Sequence, residues 1–332
     1  MIAVLIIPTG IGCEIGGHAG DANPVAKLIG SCCDKLILHP NVVNASDINE
    51  MPPNALYVEG SMLDRFLEGK ICLKEVSSNK ILVAVNPPIH NETINAVSAA
   101  RATVGIDASI IVLKTPLRLI ATITSDGASG EVYGNDELVE QVRQYDFDAL
   151  ALATPIEVSE DLTDNYWKSG GVNPWGGVEA KASKLICTAL NKPVAHAPVM
   201  MSEDSPFKLD DWNFVADSRM AAEVISWAFL HCVLKGLHTA PRIGVGISVG
   251  DVDVMVSPYG CYGKPHRACQ DAKVPIIVVK ENTCIHKQWE VRDAIYVDNY
   301  WEAAGLLMCM QAGIDKRSVR RPLDKTTIHS NE

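Results

Sequence analysis

The chain opens on an apolar run, Ile2-Ala3-Val4-Leu5-Ile6-Ile7, that passes through Pro8 into a loop holding Gly10, Gly12, Gly16, Gly17 and Gly20. No other stretch restricts the fold as tightly. A buried strand that feeds a glycine loop and then a helix is how α/β proteins build small-molecule sites, because backbone N–H groups and a helix dipole converge there. The loop also carries Cys13, Glu14, His18 and Asp21, titratable groups that a purely structural turn does not require.

The same alternation continues along the chain. Strands are expected at 2–7, 35–38, 55–58, 80–85, 109–113, 119–124, 149–153, 252–256 and 275–279, and helices at 23–33, 91–104, 136–145, 178–190, 218–234, 264–272 and 299–312. Several strand candidates are continuous apolar runs, as strands covered on both faces must be. The expected fold is therefore α/β, with two Rossmann-like lobes of mostly parallel sheet flanked by helices. The polar turn Ser125-Asp126-Gly127-Ala128-Ser129-Gly130 joins two antiparallel strands and sets the expected boundary. That gives an N-terminal lobe over 1–130 and a C-terminal lobe over 131–332. The polar segment 157–178 reads as a long surface loop of the kind that serves as a lid.

Composition narrows the function class. A net charge of −11 disfavours a nucleic-acid partner, whose phosphates demand a basic face. Ten cysteines without a single C-x-x-C spacing read as small buried hydrophobes in a reducing compartment, and no apolar run is long enough to span a bilayer. With no basic region or lipobox expected before Cys13, a cytoplasmic location is expected, a membrane partner is not, and a homo-oligomer is compatible with the sequence.

Candidate site residues follow from position. His39, Glu59 and His196 each close a short apolar strand, and ligands of parallel sheets bind at that edge. His18 and Asp21 stand three apart, which suits a divalent metal with His39 or His196, an oriented general base, or Asp21 as a helix N-cap. Cys261 stands in a second strand–glycine-loop–helix unit, where a helix N-terminus would favour its thiolate and make it the most reactive cysteine. The catalytic candidates are thus His18, Asp21, His39, Glu59, His196 and Cys261. Substrate-binding candidates are Gly10, Gly12, Gly17, Asn41, Arg101, Glu179, Glu281 and Asn282. Here the glycines would hold an anion, Arg101 would clamp a carboxylate and Glu179 would enter from a helix's first turn. A dinucleotide fingerprint fails at its third glycine, where Ile15 stands, and at the ribose acid, since no acid precedes Asp47 after the second strand.

Pro8-Thr9-Gly10-Ile11-Gly12, His39-Pro40-Asn41-Val42, Ala99-Ala100-Arg101-Ala102-Thr103, Gly177-Val178-Glu179-Ala180, Ala195-His196-Ala197-Pro198 and Glu281-Asn282-Thr283 together resemble the domain-of-unknown-function 3326 family over nearly the whole chain. The resemblance implies a bacterial, archaeal or plastid-type protein and transfers no catalytic role. From the residues, the expected function is a small-molecule enzyme, a non-redox hydrolase, lyase or isomerase acting on a small anionic or amide-bearing metabolite in an inter-lobe cleft. An NAD(P)-dependent oxidoreductase and a non-catalytic metabolite-binding protein are the alternatives.

Overall fold

The computed structural model describes residues 1–43, 50–199, 219, 229–286 and 290–329. Two parallel sheets carry the molecule. The first comprises β1 (Ile2–Leu5), β2 (Lys35–Leu38), β3 (Ala55–Tyr57), β13 (Val254–Pro258), β14 (Ile276–Val279) and β15 (Ile295–Val297), in the order β15-β14-β13-β1-β2-β3. The second comprises β5 (Lys80–Val85), β6 (Asp107–Val112), β9 (Ala149–Thr154) and β11 (Val194–Pro198), in the order β11-β9-β5-β6. Every pairing within these two sheets is parallel, with Ala3 opposite Val254, Leu36 opposite Ala55 and Val83 opposite Ala151. β4 (Leu73–Lys74) and β12 (Arg242–Ile243) form a short antiparallel pair. β7 (Arg118–Thr124) and β8 (Gly127–Tyr133) form the expected hairpin, with β10 (Ile156–Glu157) beside β7.

The helices are α1 (Asn23–Gly30), α2 (Gly60–Leu67), α3 (Asn91–Val104), α4 (Asn135–Val142), α5 (Glu160–Ser169), α6 (Gly176–Leu190), α7 (Phe229–His238), α8 (Lys264–Asp271) and α9 (Tyr300–Gln311). α1 packs on α9, and α2 packs on α8. The strand faces divide accordingly. Ala3, Leu5 and Ile7 join one apolar core with Val25, Ala26 and Ile29, whereas Val4 and Ile6 join the other with Met62, Phe66 and Cys269. Covering both faces is why these strands are apolar at every position instead of alternately.

In the first sheet the chain winds outward from β1 in one direction and from β13 in the other, so the order reverses between these neighbours. The loops after them diverge and leave a crevice at the strand C-termini, the place where open α/β sheets bind ligands. The second sheet has the same reversal between β5 and β9.

The structure departs from the sequence reading in two places. A division at residue 130 does not coincide with the sheets: the first sheet takes strands from both ends of the chain, and the second takes strands from either side of 130. The hairpin that suggested the boundary lies between β6 and β9, both members of one sheet. Segment 157–178 is not a loop throughout. Ser159 accepts a hydrogen bond from Leu162 N–H and starts α5, which buries Thr163 and Tyr166. The first part of the expected helix 218–234 lies outside the described residues.

Candidate functional site

The C-terminal edges of both parallel sheets border one cavity of about 850 Å³, within the range of small-molecule sites. Pro8, His39, Glu59 and Cys261 reach it from the first sheet, and Pro155 and His196 from the second. The N-termini of α2, α6 and α8 contribute Gly60, Gly176 and Gly263 to its wall. The partial positive charge at the ends of α6 and α8 favours an anionic occupant, whereas the end of α2 is met by the chain's own Glu59 carboxylate.

Glu59 is the N-cap of α2. Its Oε1 accepts from Ser61 N–H at 2.9 Å, and its Oε2 accepts from Ser61 Oγ at 2.6 Å and Met62 N–H at 3.3 Å. Burial raises its pKa despite these donors. His39 accepts the Asn41 N–H on Nδ1 at 3.3 Å, so the neutral ring carries its proton on Nε2, and burial lowers its pKa to about 4. Asn41 in turn donates from Nδ2 to Gly16 O at 2.8 Å, tying the strand end to the glycine loop.

Glu179 and His196 form the most chemically capable pair. Glu179 Oε1 lies 3.0 Å from His196 Nδ1, and His196 Nε2 lies 3.0 Å from Thr154 Oγ1. The histidine side chain is 1 % exposed and the glutamate 25 %, so the carboxylate faces the cavity and the imidazole backs it. This follows from how α6 begins. A side chain at Gly176 would collide with Thr9, and one at Gly177 with Ala128, so two glycines let the helix end sit against the loop after β1 and against β8 of the hairpin. Asn173 Oδ1 then caps it, accepting from Trp175 N–H at 3.0 Å and Gly176 N–H at 3.3 Å.

His266 and Ser257 also meet at 3.0 Å, but Gly263 N–H donates to His266 Nδ1 at 3.2 Å. The proton of the neutral ring is therefore on Nε2 and donated to Ser257. The pair holds α8 on β13 and does not activate the serine. Burial lowers the His266 pKa to about 4.

Of the residues singled out in the sequence, His39, Asn41, Glu59, Glu179, His196 and Cys261 line this one cavity. The others do not. Gly16 N–H donates to Asp21 Oδ1 at 2.6 Å and Ile15 N–H to Asn282 Oδ1 at 2.9 Å, so the chain's own acid and amide fill two of the loop's donor positions. Asp21 is thus a loop clasp, and Ala22, with no side-chain bond, stands at the N-cap of α1. Gly10, Gly12 and Gly17 serve close packing: Cβ atoms there would meet Ala128 at 3.0 Å, Val172 at 3.3 Å and the Cys13 carbonyl, respectively.

His18 is 2 % exposed, with Nδ1 2.7 Å from Tyr166 Oη. It packs on Tyr166 of α5 and is not part of the cavity wall. Among the described residues no group of three His, Cys, Asp or Glu side chains is arranged to hold a metal ion. Arg101 is exposed on α3, away from the cavity. Asn282 spends its amide on Ile15 O and Tyr300 Oη, and Glu281 accepts from Tyr300 N–H at 3.2 Å. Trp167 and Trp175, whose rings lie 5.8 Å apart, complete the wall from the segment read as a loop. Sequence reasoning had no signal for them beyond their number in one polar stretch.

Cys261 also differs from expectation. Hydrogen bonds to Cys13 and Cys284 and burial raise its pKa, while the Cys261 and His286 hydrogen bonds lower that of Cys284 to about 6.

Residues 2–320 match a family model described as "Protein of unknown function (DUF3326)". An uncharacterized lipoprotein of Synechococcus sp. is 34% identical over 355 residues, covering 100% of this chain and 96% of that protein. No solved structure matches the chain. Among the described residues, no helix is long and apolar enough to cross a membrane.

Proposed function

We propose that this chain, which belongs to the DUF3326 family, is a non-redox enzyme, a hydrolase, lyase or isomerase, acting on a small anionic metabolite held between its two parallel sheets. The observation that carries this reading is the Glu179–His196 pair, a cavity-facing carboxylate braced by a buried imidazole, inside a pocket walled by three helix N-termini. Glu179 accepts a proton from the substrate or from a water. His196 Nδ1–H keeps the carboxylate oriented, and Thr154 fixes the far side of the ring. His39, neutral with its proton on Nε2, supplies a hydrogen-bond donor to the substrate's polar group. The anionic group is drawn by Lys184 and by the partial positive charge at the ends of α6 and α8.

The glycine loop argues against a dinucleotide, because two of its donors, the N–H groups of Gly16 and Ile15, are taken by Asp21 and Asn282. Ten free cysteines support a cytoplasmic, reducing location as part of the same reading. Thermal-shift screening of small carboxylates, phosphates and amides beside NAD and NADP tests it. A saturable rise in melting temperature with an anionic compound is expected. Saturable binding of NAD or NADP alone would overturn the reading.

A further inference from the structure

Cys13, Cys261 and Cys284 come from three different loops, after β1, β13 and β14, and meet beside the cavity. The backbone fixes two of them: Glu14 N–H donates to Thr283 O at 3.0 Å and Ile285 N–H to Ile11 O at 3.1 Å, which sets the Cys13 and Cys284 segments side by side. The third is delivered by Gly260, whose φ of +82° favours glycine. A Cβ there would lie 3.0 Å from Cys284 Sγ and would collide with His286 O. Cys261 follows Gly260 directly and is thereby brought beside the Cys284 thiol. Cys261 and Gly260 belong to the cavity wall, whereas Cys284 stands behind them, 3 % exposed.

We propose that Cys261 and Cys284 form a thiol–disulfide exchange site opening on the cavity, with a low-molecular-weight disulfide such as glutathione disulfide as co-reactant. The Cys261 sulfur attacks one sulfur of the incoming disulfide as its proton passes to the Cys284 thiolate, and the first small thiolate leaves. Cys284 returns that proton to the departing thiolate and attacks the Cys261 sulfur of the mixed disulfide, expelling the second. Two protein sulfurs are oxidised to one disulfide, and one external disulfide is reduced to two thiols. The lowered pKa of Cys284 keeps it ionised at neutral pH, so that a thiolate stands beside Cys261 to receive its proton as the new S–S bond forms. Cys13, whose thiol is directed to Pro8 O, takes no part in the exchange. Cys32 and Cys33, adjacent at the end of α1, have thiols that donate to helix carbonyls and do not face the cavity, so they serve as the internal control.

The test uses the full-length reduced protein, treated with glutathione disulfide at neutral pH. Remaining thiols are alkylated with iodoacetamide in denaturant, and the products are mapped by mass spectrometry. A linked Cys261–Cys284 peptide is the expected main product. Cys284→Ser should accumulate glutathione on Cys261, and Cys13→Ser should still form the link. Glutathione or disulfide at Cys32, Cys33, Cys72 or Cys309 with Cys261 and Cys284 fully alkylated would overturn the proposal. If Cys284→Ser does not fold by circular dichroism, the wild-type map decides alone.

Discussion

Glu179 Oε1 lies 3.0 Å from His196 Nδ1, joining the first turn of α6 to the middle of β11, the strand that α6 leads into. The packing of that helix on its strand makes the pair; two residues seventeen positions apart do not encode it in any local pattern. His196→Leu leaves the Glu179 carboxylate and the Thr154 hydroxyl without their shared partner. Loss of a buried polar partner costs about 1–3 kcal/mol. Urea unfolding should show a loss of that size, and wild-type stability would mean that the pair contributes nothing to the fold.

The strand framework was legible in the sequence because strands buried on both faces must be apolar throughout, and β2 at 35–38 and α3 at 91–104 match expectation residue for residue. Half of the candidate site was legible for a related reason: His39, Glu59 and His196 are polar residues at or near the ends of apolar runs, and both sheets turn those ends toward the cavity. What was not legible depends on long-range contacts. The glycine loop looks like an anion cradle locally, but Asn282, distant in sequence, fills it. Cys261 follows a strand and precedes α8, so dipole reasoning favours its thiolate. Two other thiols, Cys13 and Cys284 from the loops after β1 and β14, raise its pKa instead.

Asp21 should prove structural. Asp21→Ala removes the charged acceptor of Gly16 N–H, a bond of 2.6 Å. Hydrogen bonds to a charged group contribute about 1.5–3 kcal/mol, and chemical denaturation should register that loss. Asp21→Asn, which keeps an acceptor oxygen, should recover part of it. Equal stability of both variants with wild type would contradict the clasp.

His266 sets a pH signature. Its folded pKa of about 4 lies below the unfolded value of about 6.5, so the folded state binds fewer protons. Its contribution is complete above about pH 6.5 and is lost as pH falls toward 4. Asp64, raised to about 6 by burial, works in the opposite direction over part of this range. The difference between wild type and His266→Gln isolates the histidine. Wild type's advantage should shrink by about 2.5 kcal/mol from neutral pH to about pH 4.5. An unchanged difference would show that His266 is not buried neutral.

The central claim is that the cavity converts a small anionic metabolite through Glu179. The direct measurement is incubation of the protein with a pooled set of small carboxylates, phosphates and amides, followed by proton NMR and mass spectrometry of the pool. The account predicts that wild type depletes a compound and forms its product without any change in NAD(P)H. Glu179→Gln should still bind that compound but convert it at least about 100-fold more slowly, the usual cost of losing a general base. Equal conversion by Glu179→Gln, or a compound retained unchanged by wild type, would contradict it.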